Sequence, residues 1–344
     1  MELGIGMFGD LSFDPDKGQY QGTSEKYVQL IEQIKLADEL GVDSVALGEH
    51  HREDYSIAAP EIMLAALATV TRRIKLVSGV NVISSADPVK LYQDFAMIDL
   101  LSGQRAEIIA GRGSFIESFP LFGYDLQNYN ELFVEKLELL LELQKNKKIS
   151  WEGRFRAPIR DQQVFPMPER PIPIWIAVGG TPASVQRAAR LGLPIMFAII
   201  GGMPAQFKNL IDYYKDQYVA HGHDPAGMQI GVHSHAFLAD SRVTVLEDYY
   251  PGYARSMDRI GRERGWPGNY TRDKFEAGMS PHGALYMGNP DEVTEKIIHT
   301  IEMFGLTHYV AHIDVGGPTH TQLMKTIELY GNEVIPAVKN HFEK

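Results

Sequence analysis

Gly179 and Gly180, followed by Thr181, Pro182 and Ser184, are the residue types that hold an anion. Two glycines let a backbone turn sharply, proline suits a first helical position, and the free N–H groups of a following helix point at whatever lies above them. The hydroxyls of Thr181 and Ser184 add donors. Turns of this kind also serve as plain strand-to-helix connections. Arg112, between Gly111 and Gly113 and close to Ser114, is the second candidate, because a guanidinium matches a phosphate dianion. Glu49, His50 and His51 form the third. Imidazole beside carboxylate serves proton transfer or metal binding, but adjacent residues leaving a strand point to opposite sides, so no more than one of these histidines faces a common centre. His233 and His235 share one strand face, and His308 and His312 stand in another strand. No further ligand stands out at a strand end, so these read as core or rim histidines and no metal site is expected. Serine-hydrolase chemistry is not expected, since the chain has no G-x-S-x-G elbow, and the absence of cysteine excludes a thiol nucleophile.

The elements that must position these groups alternate regularly. Apolar runs at 3–8, 42–47, 74–83, 106–110, 174–178, 195–200, 228–238 and 307–313 read as strands, each running into polar or glycine residues. Helical patterns separate them. The first has Thr23 or Ser24 as its cap and Tyr27, Leu30, Ile31, Ile34, Ala37 and Leu40 as its stripe. Asp87 and Pro88 open the third, Gly192 closes the one after the glycine turn, and Gly316 and Gly317 precede the last, over 319–342. Residues 9–22 read as a loop, 151–168 as an inserted hairpin after the fourth helix, and 243–286 as an irregular lid with a mobile loop near Gly265. Eight strand–helix units over 344 residues fit a closed (β/α)₈ TIM barrel forming one domain over 1–344, with an open doubly wound sheet as the alternative. In a barrel, every polar cluster named above faces one rim. Arg112 then meets an anion from one side and the 179–184 turn from the other.

Composition narrows the partners. A formal charge of −11 argues against nucleic acid and anionic membrane, both of which need a basic surface. No apolar run spans a bilayer and no basic segment precedes an apolar signal core, so a cytoplasmic protein is expected.

Taken together, EHH after strand two, SSADP after strand three, LLSGQRAEIIAGRG, AVGGTPASVQRAARLGLP, MGNPDEVTEKI and the closing NEVIPAVK resemble the bacterial luciferase-like family of flavin-dependent monooxygenases. The resemblance covers nearly the whole chain. It implies a TIM barrel with an insertion, a homodimer, and reduced FMN supplied by a separate reductase, which acts with O2 on an organic substrate through a flavin peroxide. By position, His50 resembles the family histidine near the flavin ring, a proton-transfer role suited to a group with a pKa near neutrality. Arg112, Thr181 and Ser184, with the backbone at Gly179 and Gly180, match the FMN phosphate site. Gly79 and Val80 match a non-proline cis peptide against the ring, and Glu49 the ring's polar edge. Light-emitting members carry cysteine where this chain has Gly111 and tryptophan where it has Ile199, so light emission is not expected. Within the same fold family, a deazaflavin-dependent hydride-transfer enzyme is the alternative, and a non-catalytic flavin-binding protein is another.

Overall fold

Short runs of valine, isoleucine and alanine with no charged interior make strands that bury both faces. The computed structural model describes residues 1–113 and 115–343, and Ser114, expected in the turn after strand four, lies outside the described residues. The barrel strands are β1 (Glu2–Met7), β2 (Ser44–Leu47), β3 (Lys75–Val82), β4 (Ala106–Gly111), β5 (Ile174–Val178), β6 (Ile195–Ala198), β7 (Ile230–Leu238) and β8 (His308–His312). Each pairs in parallel with its neighbours in chain order, and β8 returns to β1 with Gly6 opposite His312. The pairing of β6 with β7 completes the ring, a closed eight-stranded TIM barrel.

Helices α1 (Thr23–Glu39), α2 (Pro60–Val70), α3 (Pro88–Ser102), α4 (Tyr129–Lys145), α5 (Pro182–Leu191), α6 (Lys208–Ala220), α7 (Pro290–Phe304) and α8 (His320–Leu329) pack outside it. The expected insertion follows α4 as an antiparallel hairpin of Lys148–Trp151 against Ile159–Gln163. No helix among the described residues is long and apolar enough to cross a membrane.

Several local expectations are corrected. Gly22, with no side-chain bond, occupies the cap of α1, so Thr23 and Ser24 are already helical. Tyr27 is exposed while Lys26 and Gln33 are buried, Lys26 toward the Asp10 and Asp314 carboxylates and Gln33 against His320 of α8. The last helix starts from Thr319, whose side chain and that of Gln322 form a capping box. Within 9–22 lies a small ladder of Phe13–Asp14 against Gln19–Tyr20. The segment expected to be irregular is mostly helical, with Tyr250–Glu263 and Arg272–Met279 packing Tyr249, Tyr253 and Phe275 against Phe237. The Phe237 and Tyr249 rings stack at 4.0 Å.

The inside of the barrel is closed at one end. Ala46, Val77, Ile109, Trp175, Met196 and Val310 fill its waist. Below them Lys75 bridges Glu2 at 2.6 Å and Glu107 at 2.9 Å, while the Trp175 indole donates to Glu107 and His308 meets Glu2 at 3.2 Å. This charged plug leaves only the C-terminal ends of the strands to open onto a cavity.

Candidate active site

That cavity has a volume of about 330 Å³, within the range of roughly 300–1,000 Å³ of small-molecule sites. Glu49, His50, Gly79, Val80, Arg112, Gly179 and Thr181 all line it. Gly180 and Ser184 stand just behind. Ser84, Ser85, Gly316 and Gly317 lie away from it and hold the loops. The Ser84 carbonyl accepts from buried Lys136, Ser85 bonds back to Val82, and the Gly316 N–H donates to Asp10.

One end is built for an anion. Arg112 leaves β4 and donates to Asn130 Oδ1 at 2.7 Å and to Ser184 Oγ at 3.1 Å. Gly180 has φ of +118°, which glycine alone adopts readily, and a Cβ on Gly179 would meet nothing within 4 Å. The turn therefore faces open space at the start of α5. Arg187, one turn along that helix, lies over the Phe133 ring. Burial, together with the charges of Arg112 and Arg190, holds its pKa below the usual arginine value. Among the described residues neither Arg112 nor Arg187 has an ion pair. Two cations that repel each other beside free N–H groups form a site that a phosphate would relieve. Arg187 was missed at the sequence level, where only its spacing of three from Ser184 marked it.

At the other end the EHH run separates as strand alternation requires. His51 turns to the rim and meets Glu49 Oε1 at 2.9 Å, and the Val82 N–H donates to Glu49 Oε2 at 2.8 Å. His50 enters the cavity wall. Its ring stacks on Tyr55 at 4.4 Å and meets Phe8 edge-on at 4.4 Å. Burial, with the charges of His312 and Arg52, pushes its pKa down to about 3. That is well below the near-neutral value of a free imidazole, because an imidazolium among Phe8, Tyr55 and Phe115 would lose its hydration. A neutral imidazole has one nitrogen able to donate and one able to accept.

The floor is set by close contact. Gly79–Val80 is a cis peptide. A Cβ on Gly111 would stand 2.5 Å from Val80 Cγ2, so no side chain fits there while Val80 keeps its place.

The side of the cavity next to β7 and β8 carries a polar network that the strand pattern alone did not connect. His233, His235 and His312 all reach the wall. His235 Nδ1 meets the Tyr253 hydroxyl at 2.8 Å, and burial pushes its pKa down to about 3. Asp314, just past β8, is fully buried and accepts from the N–H groups of Phe8, Gly9 and Asp10 at 3.0, 2.8 and 3.2 Å. Burial works to raise its pKa, but the contacts from His312, Lys26 and the backbone outweigh it and keep the carboxylate ionised. Asp10 accepts one such bond, from Gly316, and its burial beside the Asp314 charge pushes its pKa well up. The ligand-type atoms of Asp10, His312 and Asp314 lie within 4.8 Å of one another. The buried Lys26 ammonium stands near both carboxylates and supplies the compensating charge there.

Similarity to known proteins agrees with this architecture. The oxygenating constituent of 3,6-diketocamphane monooxygenase from Pseudomonas putida, a type II Baeyer-Villiger enzyme solved with FMN, superposes with a TM-score of 0.79 at 20% identity over 98% of each chain. An F420-dependent glucose-6-phosphate dehydrogenase from Amycolatopsis mediterranei is 23% identical over 93% of this chain and 98% of its own. The alkanal monooxygenase alpha chain of the Kryptophanaron alfredi symbiont is 21% identical over 90% and 92%. The family model for luciferase-like monooxygenases matches residues 1–311, and the chain belongs to that family.

Proposed function

We propose that this protein is the oxygenase of a two-component flavin-dependent monooxygenase, receiving reduced FMN from a separate reductase and acting with O2 on a small organic substrate. The observation that carries this reading is one cavity with a phosphate-type end at Arg112 and the 179–184 turn, and a buried neutral imidazole, His50, at the other. Arg112, Thr181, Ser184 and Arg187 would hold the phosphate, with backbone N–H groups near Gly179 and Gly180. Gly79 and Val80 would lie against the ring and Glu49 near its polar edge. Reduced flavin supplies two electrons to oxygen when bound. The chain itself contributes apolar walls that exclude water and, at His50, a ring nitrogen that holds or passes a proton.

The protein would work as a homodimer. Ile62 and Val70 on α2 and Met97, Leu100 and Leu101 on α3 are exposed apolar residues on two neighbouring helices, a surface of the kind that partners cover.

The test is to bind photoreduced FMN without oxygen, mix with aerated buffer and follow the near-ultraviolet spectrum. An oxygenase delays the return of oxidised flavin, and immediate reoxidation refutes the proposal. A second reading, hydride transfer with a deazaflavin, is supported by the F420-dependent relative aligned along 93% of this chain. Tight binding of reduced F420 with none of reduced FMN would replace the first reading by this one. Flavin binding with no reaction of oxygen under any substrate would leave a passive carrier.

A further inference from the structure

His50 is the histidine that the sequence singles out, yet three others reach the same cavity, and two of them join to a buried carboxylate. His312 Nε2 stands 3.1 Å from Asp314 Oδ1, an off-axis contact, and His312 Nδ1 stands 2.8 Å from His233 Nε2. Asp314 has its two oxygens turned to three backbone N–H groups. A carboxylate surrounded by donors in this way has no hydrogen to give, so the group facing it must give one. The Asp314 charge 3.1 Å away thus favours the His312 tautomer with its proton on Nε2, an electrostatic preference and not an in-line hydrogen bond. His312 Nδ1 must then accept, and His233 Nε2 must donate to it. His233 Nδ1 is left with a lone pair, and among the described residues no group bonds to it. His233 lines the cavity.

We propose that His233 is a second proton acceptor of this cavity, its tautomer fixed by Asp314 through His312, and that the molecule bound beside it presents an O–H or N–H group to His233 Nδ1. His233 is the residue that touches the ligand. His312 and Asp314 are positioning residues. When the ligand gives up its proton, the O–H or N–H bond breaks, its electron pair stays on the ligand atom, and a new N–H bond forms at His233 Nδ1. The resulting imidazolium points its other N–H along the chain toward Asp314, which lowers the cost of the charge. Phe8 and Met196, which line the cavity with these histidines, offer no donor, so a ligand without one would leave the His233 lone pair buried and unpaired.

This inference takes from the proposed function only that the cavity binds an organic substrate, and its test needs no flavin. The full chain without ligand is labelled with 15N at its histidines, and long-range proton–nitrogen correlation reads which ring nitrogen of His233 is protonated. Its signal is identified by its loss in His233→Gln, or by coupling across the bond to His312. The expected result is an unprotonated Nδ1 and a protonated Nε2 in the native chain, with this order lost or reversed in Asp314→Asn. The opposite tautomer in the native chain overturns the proposal, since His233 Nδ1 would then be a donor and not an acceptor. This readout stands even where the variants do not fold. Phenol and anisole then test the ligand class by calorimetry. Phenol is expected to bind more tightly, and His233→Phe to abolish the difference. No preference for phenol, including no binding of either, overturns the donor requirement. Loss of flavin binding alone would touch only the proposed function.

Discussion

Arg112→Ala separates the phosphate from the rest of a bound flavin. In the structure Arg112 donates to the neutral side chains of Asn130 and Ser184 and lies over the Tyr129 ring, so its removal costs the fold no ion pair among the described residues. A hydrogen bond from a charged donor contributes about 1.5–3 kcal/mol, and every 1.4 kcal/mol is about tenfold in a dissociation constant. Reduced FMN should therefore bind about 10- to 150-fold more weakly. Riboflavin, which has the same ring and no phosphate, should be unaffected. The assay is anaerobic titration of both ligands on native and variant protein, with the thermal midpoint as a check on folding. An equal loss for riboflavin, or a loss for FMN well under tenfold, would refute the assignment of the phosphate to this end. Arg187→Ala should then show the same selective loss.

Gly111→Ala places a methyl group 2.5 Å from Val80 Cγ2 and should cost about 1–3 kcal/mol of stability, read as a lower denaturant midpoint. Ordinary histidine takes up a proton near pH 6.5, whereas His50 and His235 are held near 3 in the fold. The unfolded chain therefore binds more protons below pH 6.5, so stability should fall as pH drops from 6.5 toward 3, and His235→Gln should flatten that slope in acid denaturation. Lys296 donates to the carbonyls of Gly278, Ser280 and Leu285. Lys296→Met leaves the Leu285 carbonyl without this donor, while Gly278 and Ser280 keep the N–H groups of Leu285 and Gly283, and should cost about 1–3 kcal/mol, seen as faster amide exchange over 276–288. Leu101→Glu should convert the proposed dimer to monomer by light scattering, and an unchanged mass would refute that surface.

Much of the fold was readable because its signals are local. The run at 174–178, the paired glycines and Gly192 place β5, the turn and the end of α5 as the structure does, since strand burial, glycine turns and helix stops depend on neighbouring residues. The gathering of Glu49, His50, Gly79, Val80, Arg112, Gly179 and Thr181 about one cavity follows from strand ends once a barrel is assumed. Other features depended on groups far apart in the chain. Burial of Lys26 on a helix whose stripe looked purely apolar is decided by Asp10 and Asp314. The low pKa of His50 is decided by the rings that enclose it, which no spacing reveals. The link from Asp314 to His312 and His233 needs β8 to lie between β1 and β7, with Gly6 and His235 each opposite His312. The residues by themselves supplied the strands, the turns and the types of group available. Only barrel closure, by excluding water and bringing the first and last strands into register, decided which of those groups meet and which protonation state each one keeps.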